Sequence, residues 1–294
     1  YNLTNATAST AADITARGLA VTATAANKVY DGTTDATVSL SDDRVRGDVL
    51  STSYASASFD NANAGAGKVV TVSGISVAGA DSGNYTFNTS TTTSADIAKR
   101  AITVTADAQS KLFGDADPAL TYQVSGGPLV SGDSFSGNLS RDPGEAPGQY
   151  SILQGSVSAG PNYAVTYVGA KLTIGAWTLK GFYAPVDMGI WNTVKAGSTV
   201  PMKFEVFKGA TELKSVSDIK SAAHKQVSCA ALNTTAADAV ELTTTASTSL
   251  RFDTTSDQFI FNWKTQSGWA VNSCYVVTVV TQDGTPLSAY FKMK

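Results

Sequence analysis

Apolar and polar residues alternate over short runs along most of the chain, as in "ITVTA" at residues 102–106. Alternation over 4–8 residues is typical of a β-strand with one buried face. Clusters of Gly, Asn, Asp and Pro separate these runs, for example at residues 61–67 and 142–148. Many short strands with turn signals between them predict an all-β protein built from sandwich-like domains.

The pattern repeats at long range. "NKVYDGTTDATVSL" at residues 27–40 returns as "SKLFGDADPALTYQV" at residues 110–124, so that the two lysines lie 83 residues apart (111 − 28). An Asn-Tyr pair that opens an alternating strand also recurs, with Tyr85 and Tyr163 separated by 78 residues (163 − 85). A period this long indicates an array of whole small domains rather than a thin solenoid.

This internal similarity divides the chain into a first repeat at residues 14–98, a second repeat at residues 99–175 and a different C-terminal domain at residues 176–294. The predicted closing strand of each repeat runs almost directly into the first strand of the next domain. Connections this short favour a stiff arrangement over domains on a flexible Gly/Ser linker. We therefore predict three consecutive small β-sandwich-like domains arranged as an elongated rod.

Residues 1–14 match the closing strand of each repeat, and residues 1–13 are interpreted as the closing strand of an upstream repeat. An isolated strand cannot satisfy its backbone polar groups, so the segment is expected to join a sheet. It could complete a sheet in a neighbouring molecule, belong to an upstream repeat, or pad an edge of the first repeat. In the first arrangement Tyr1, Leu3 and Ile14 are exchange residues, and head-to-tail repetition builds an open filament.

Composition and charge exclude several classes of function. Charged residues make up only 15% of the chain and the net charge is −3, so the basic face that nucleic acid requires is missing. No run of about 18 apolar residues occurs, and we expect no membrane insertion in this segment. With one histidine, His224, and two cysteines, the partners for His-based metal sites or Cys-His catalysis are lacking. We predict that the protein is not an enzyme.

Three stretches resemble known families. "KVYDGTTDATV" with "VSGISVAGADSGNY" resembles the YDG domain, a repeat of large bacterial surface and haemagglutinin-like proteins. "KRAITVTADAQSKLFGDADPALTYQVSGG" with "NYAVTYVGAKLTI" resembles the MBG domain of the same proteins. The C-terminal domain resembles the PxKF domain, a secreted bacterial module, through "PMKF" at residues 201–204. These resemblances imply an extracellular β-rich protein at a bacterial cell surface or in secreted material.

The function that follows is structural: a stalk or filament subunit of an adhesin or appendage, self-associating into a filament or a larger surface array. The alternative is a ligand-binding adhesin tip whose C-terminal domain binds a glycan or a partner protein on a host or cell surface. In that case Trp177, Trp191 and Trp269 are the candidate ligand-face aromatics. An aromatic core is the competing interpretation, because the alternation at residues 259–263 places three rings on one face.

Two further features have open alternatives. The even cysteine count favours a disulfide between Cys229 and Cys274 in an extracellular protein, and PxKF-like domains place two cysteines comparably; two free thiols are the alternative. Asp-rich turns could bind Ca²⁺, but their carboxylates come singly or in pairs, without the spacing of a Ca²⁺ loop. Solvated turns are the favoured interpretation, and no cofactor is predicted.

The recurring Lys-x-aromatic turn also has two interpretations. Lys28, Tyr30 and Asp31 could form a recognition patch. Alternatively, the Asp-Gly pair supplies a tight turn, the aromatic ring of Tyr30 or Phe113 packs inward, and the lysine stays exposed to solvent. Because the second copy keeps the ring and loses the hydroxyl, we favour a structural corner.

Overall fold

The computed structural model of the chain describes residue 7, residues 9–230 and residues 250–294. Within these residues the regular elements are β-strands, with short 3-10 turns at Ser82–Asn84 and Val216–Asp218 and no α-helix. No helix in this part of the chain is long and apolar enough to cross a membrane. The all-β, sandwich-like prediction is confirmed.

The described residues divide into two compact units. The first comprises the described residues up to Thr105 with Gln123–Asn138 and Ser156–Val168, and the second comprises Ala106–Tyr122, Leu139–Gly155 and the described residues from Gly169 to Lys294. Each unit therefore contains part of the second repeat.

Most sheets of the first unit are small. A four-stranded sheet has the strand order Lys28–Val29, Ser90–Ala98, Gly65–Ser73, Ser56–Phe59. The two-stranded sheets pair Arg17–Leu19 with Tyr85–Phe87, Val21–Ala25 with Val38–Asp42, and Ser51–Ser53 with Ser76–Ala78. A further sheet has the order Tyr122–Ser125, Arg100–Ala106, Tyr163–Val168.

Both repeats contribute to the hydrophobic core of the first unit. Val70 and Val72, at alternate positions of Gly65–Ser73, are fully buried in the first repeat. The same core cluster includes Ile102 and Tyr163 from the second repeat. The first and second repeats are therefore not independently packed in this unit.

The second unit contains the other sheet of the second repeat, in the order Gln109–Leu112, Ala170–Gly175, Gly148–Leu153, Ser140–Arg141. Its C-terminal domain has two sheets. One has the order Thr178–Tyr183, Thr199–Lys208, Gln258–Lys264, Leu250–Asp253, with Thr211–Leu213 also paired to Thr199–Lys208. The other has the order Trp191–Val194, Pro286–Met293, Cys274–Thr281, Ile219–Val227.

An aromatic core lies between elements of both C-terminal sheets. Phe259, Phe261 and Trp263 are at most 3% exposed, which confirms that the three rings share a buried face, and Ile260 between them is also buried at 6%. The predicted disulfide is also present: Cys229 and Cys274 are bonded, with their Cα atoms 5.3 Å apart. Closing a loop of this length stabilises a folded domain by about 4 kcal/mol in the chain-entropy description.

The N-terminal exchange residues are only partly described. Tyr1 and Leu3 lie outside the described residues. Residues 9–16 belong to no strand, and Ile14 is fully exposed. The described part of the segment therefore does not pad a sheet of the first repeat.

Candidate functional site: two aromatic corners at module junctions

The first corner follows from a parallel strand pair that ends in a tight turn. Lys28–Val29 pairs with the end of Ser90–Ala98, and the Tyr30 N–H donates to the Ala98 carbonyl at 2.9 Å. Gly32 then takes a positive φ of 80°, which a residue with a side chain rarely adopts. The turn directs Tyr30 inward, where it is 6% exposed.

The second corner is built the same way. Gln109–Leu112 pairs in parallel with Ala170–Gly175, and the Phe113 N–H donates to the Gly175 carbonyl at 2.9 Å. Gly114 has a φ of 81°. The predicted equivalence of the two corners is therefore confirmed at the level of strand pairing, backbone hydrogen bond and turn.

The prediction that both corner lysines reach solvent is wrong. The Lys28 side chain is 18% exposed, and its Nζ donates to Asp31 Oδ1 at 2.9 Å and to the Thr33 carbonyl at 2.8 Å. The Lys111 side chain is only 4% exposed and pairs with Asp117 at 2.6 Å. Each ammonium group folds back onto oxygen atoms of its own corner, which closes the turn.

The lysine of the second corner belongs to a four-residue ion-pair network. Glu145 pairs with both Lys111 and Arg141, and Arg141 Nε also bonds Asp117 Oδ2 at 2.6 Å. Hydrogen bonds from Arg141 and Lys111 lower the pKa of Asp117 to about 2. This network binds a loop from residues 141–145 to the corner.

Tyr30 joins the first repeat to the second. Its ring packs edge-to-face on Tyr163, with centroids 5.6 Å apart, and its hydroxyl donates to Asp133 Oδ2 at 3.0 Å. The Tyr163 hydroxyl donates to the same Asp133 oxygen at 2.7 Å and accepts from the Val130 N–H at 2.8 Å. Burial, followed by the hydrogen bond to Asp133, raises the pKa of each tyrosine hydroxyl, so both remain donors at neutral pH.

The glycine of the first corner fits against the second repeat without space for a side chain. A Cβ on Gly32 would lie 2.6 Å from Val130 Cγ1. Nearby, Asn162 Oδ1 accepts from the Ala64 N–H at 3.0 Å, and Asn162 Nδ2 donates to Asn63 Oδ1 at 3.2 Å. Close packing and polar contacts together fix this junction.

Phe113 joins the second repeat to the C-terminal domain in a comparable way. Its ring packs edge-to-face on Trp177 at 5.5 Å, and Trp177 Nε1 donates to the Phe113 carbonyl at 3.1 Å. Lys208 of the C-terminal domain pairs with Asp115, which lowers the pKa of that carboxyl. The Trp177 N–H donates to Asp283 Oδ2 at 2.6 Å.

The inward packing of the Tyr30 ring agrees with the interpretation of the corner as structural. The sequence did not indicate which distant residues the corner contacts. Tyr30 and Asp133 are 103 residues apart, and Asp133 lies in a Gly-rich turn that carries no pattern of its own. The pairing of Lys111 with Glu145 likewise joins residues 34 positions apart. No local pattern in the sequence indicates contacts of this range.

The three predicted ligand-face tryptophans occupy different settings. Trp177 is buried in the junction, 8% exposed, and so presents no face to a ligand. Trp269 stacks on Tyr275 with centroids 3.9 Å apart. Trp191 lies on the edge strand Trp191–Val194 and lines a cleft of about 520 Å³, together with Ile190 and other residues of the C-terminal domain.

The Asp-rich turns are held by groups of the chain itself. Asp42 pairs with Arg44, and Asp257 pairs with Lys214 at 2.6 Å. Asp81 accepts the Val49 N–H at 2.8 Å. Among the described residues, no group of three or more His, Cys, Asp and Glu side chains is placed to hold a metal ion.

Comparison with solved structures gives distant likenesses. The N-terminal eight immunoglobulin domains of Down syndrome cell adhesion molecule are 11% identical, with a TM-score of 0.30, over 92% of this chain and 40% of that one. The chain thus spans less than half the length of that structure. A three-immunoglobulin structure of titin is 10% identical, covering 92% and 94% of the two chains, with a TM-score of 0.24. The Bacteroides ovatus mixed-linkage glucan utilization protein SGBP-B, in complex with a heptasaccharide, is 12% identical over 92% and 65%, with a TM-score of 0.18.

Comparison with known sequences is more specific. No curated protein sequence matches the chain. The family model of the YDG domain matches residues 15–94, and that of the MBG domain (YGX type) matches residues 102–173. The chain therefore contains a YDG domain followed by an MBG domain.

Proposed function

We propose that the chain is a structural part of an extracellular bacterial surface protein, in which consecutive modules are coupled stiffly to form an elongated stalk. The observation that carries this proposal is the pair of aromatic corners. Each repeat packs the ring of its corner edge-to-face on an aromatic residue of the module that follows. The tandem YDG and MBG domains support the same role.

The physical reason is the cost of bending at such a junction. Domains joined by a small polar contact move relative to one another by default. Rotation about the first junction would expose the Tyr30 ring and break its hydrogen bond to Asp133, which is also the acceptor for Tyr163. Asp133 is partly buried, and a hydrogen bond to a charged group contributes more to stability than one between neutral groups, so losing these donors opposes the rotation. A stalk that must hold its load away from a cell surface benefits from this stiffness.

The C-terminal domain is proposed to be a PxKF-type module. Its "PMKF" motif lies in the central strand Thr199–Lys208, where Met202 and Phe204 are fully buried. Alternation places Pro201 and Lys203 on the opposite face. The motif thus serves the sandwich core, which is consistent with a structural module.

A ligand-binding tip is the second candidate, favoured by one observation. The cleft beside Trp191 is bordered by Ile190, which is 54% exposed, and Met188 close by in the sequence is 42% exposed. Exposed apolar residues beside a cleft are typical of binding sites. Self-association by strand addition through Tyr1, Leu3 and Ile14 stays a prediction.

Immunogold electron microscopy of the native bacterium, with antibodies against residues 15–94, tests the surface role. We expect label on the outer surface or on shed material; label confined to the cytoplasm would contradict the proposal.

A glycan array with the purified chain distinguishes a stalk from a ligand-binding tip. Glycan binding that is lost in Trp191→Ala and kept in Trp269→Ala would favour the tip.

A further inference from the structure

The acceptor side of the first junction has a counterpart in the first repeat. In the second repeat, Tyr163 donates to Asp133 and accepts from the Val130 N–H, while the Asp133 N–H donates to the Val130 carbonyl at 3.0 Å. These three residues form a socket that receives the Tyr30 corner. Val130 supplies its apolar wall, since Gly32 of that corner packs against it.

The first repeat contains the same three groups with the same bonds. The Tyr85 hydroxyl donates to Asp48 Oδ2 at 2.5 Å and accepts from the Val45 N–H at 3.0 Å. The Asp48 N–H donates to the Val45 carbonyl at 3.1 Å. Val45, Asp48 and Tyr85 therefore form a second socket, which we call the first-repeat socket.

The strand that pairs with the socket tyrosine is also equivalent in the two repeats. Arg17–Leu19 pairs in parallel with Tyr85–Phe87, with Arg17 opposite Tyr85. In the second repeat, Arg100 lies opposite Tyr163 in the same parallel arrangement. The closing strand of the first repeat, Ser90–Ala98, precedes Arg100, and it pairs with strand Lys28–Val29 of the docked corner. By this equivalence, a corner that docks in the first-repeat socket would belong to a module joined ahead of Arg17.

The first-repeat socket differs from its counterpart at its loop, which is exposed to solvent although Tyr85 itself is 7% exposed. Val45 is 47% exposed, and Val49 in the same loop is 63% exposed, whereas Val130 is packed against the core of the first unit. Among the described residues, Tyr85 makes no contact with another aromatic ring of the kind that Tyr30 makes with Tyr163. The apolar wall that Gly32 covers in the second repeat is exposed to solvent in the first.

We propose that the first-repeat socket is a docking site for the aromatic corner of another YDG- or MBG-type repeat, joined ahead of Arg17. The partner's chemistry follows from the filled socket: a hydroxyl or backbone donor for Asp48, and a turn glycine with its neighbouring ring against the exposed Val45, since the Tyr85 ring is itself only 7% exposed. A second copy of this chain does not fit, because the rings of its two corners, Tyr30 and Phe113, are already packed on Tyr163 and Trp177 in its own junctions. The inference rests on the proposed role of the corners as couplings and is independent of where the protein is located.

The test replaces residues 1–15 of the chain with a further repeat and measures access to Val45. A copy of residues 15–98 is joined directly to Ala16, which leaves one residue between Ala98 and Arg17, as Lys99 stands between Ala98 and Arg100. Both native cysteines are in the disulfide, so Val45→Cys in the original repeat is a single free thiol. Its reaction rate with a thiol reagent is compared between the 294-residue chain and the extended chain.

We expect the added repeat to slow labelling at position 45 by at least about tenfold, because the thiol becomes reactive only when the junction opens. Tyr30→Ala in the added copy should restore the fast rate, whereas Tyr30→Phe should keep most of the protection, since Phe113 serves the second corner without a hydroxyl. Val216→Cys, at a site 48% exposed in the second unit, is the matched control for Val45 at 47% and should label at one rate throughout.

Equal rates at position 45 with and without the added repeat would overturn the inference, as would protection that survives Tyr30→Ala in a folded added copy. Protection of the unextended chain that rises with its concentration would identify a second copy as the occupant and would also overturn it. None of these outcomes alters the contacts of Tyr30 and Phe113 within the chain, so the proposed stalk function would stand or fall separately.

Discussion

The two corners share a backbone and differ in the polar groups that complete them. At the first, the Tyr30 hydroxyl and the Tyr163 hydroxyl converge on Asp133. At the second, Phe113 has no hydroxyl, and the Trp177 indole donates to its carbonyl while Lys208 pairs with Asp115. In both, the ring packs edge-to-face on an aromatic residue of the next module.

Comparing the two corners shows which features both junctions have and which polar contacts can vary. The parallel strand pair, the glycine turn and the edge-to-face ring contact occur in both corners, so these three features define the corner. Aromatic pairs in this geometry contribute about 0.5–1.5 kcal/mol beyond the area they bury. The polar partner is interchangeable: a shared carboxylate in one junction is replaced by an indole and an ion pair in the other.

Removing a ring is the largest perturbation and tests whether the rings are the common element. We expect Trp177→Ala to lower the free energy of unfolding of the second unit by about 3 kcal/mol and Phe113→Ala by about 2 kcal/mol, because Phe113 is only half-buried. Urea denaturation monitored by circular dichroism measures both values. Trp191→Ala, at the edge of the same domain, is the control and should cost less than Trp177→Ala. Equal losses at positions 177 and 191 would mean that Trp177 has no special role in the junction.

A smaller effect should distinguish the corners by pH. The pKa of Asp117 is lowered from 3.8 to about 2, so its contribution to stability is complete above its ordinary pKa and is lost as the pH falls towards about 2. Because the side chain is 41% exposed, solvent screening keeps this contribution small. We expect acid to weaken the second corner, and Asp117→Asn to flatten the dependence of the melting temperature on pH in this window.

Melting curves of the wild-type chain and the Asp117→Asn variant between pH 4 and pH 2 give this comparison. Asp81→Asn, whose carboxylate bonds a backbone N–H in the first repeat, is a control at an unrelated turn. If the variant and the wild type lost stability in parallel throughout the window, the ion-pair network would not contribute to the pH dependence.

The sequence was sufficient for the features that depend on neighbours in the chain. Alternation identified the buried strand face of Phe259, Phe261 and Trp263, and the even cysteine count identified the disulfide. It failed where a side chain meets a partner far along the chain. Lys111 was expected in solvent because lysine usually is, yet Asp117 and Glu145 neutralise it at the corner.

Trp177 illustrates the same limit. As an aromatic residue near a domain boundary it has no periodic partner, and its role depends on Phe113, 64 residues earlier. Asp133, the acceptor for two tyrosines, lies in a turn whose local sequence indicates only a loop. Long-range pairing of this kind is decided by the packing of whole modules, which a single sequence does not reveal.

The central claim is that an aromatic corner couples one module rigidly to the next, and residual dipolar couplings test it most directly. Amide couplings are measured in the full chain for residues 17–98 of the first repeat and for residues 100–105 with strand Tyr163–Val168 of the second. We predict that one alignment tensor fits both sets in the wild-type chain and that two different tensors are needed in Tyr30→Ala. A wild-type chain that itself requires two tensors would contradict the account.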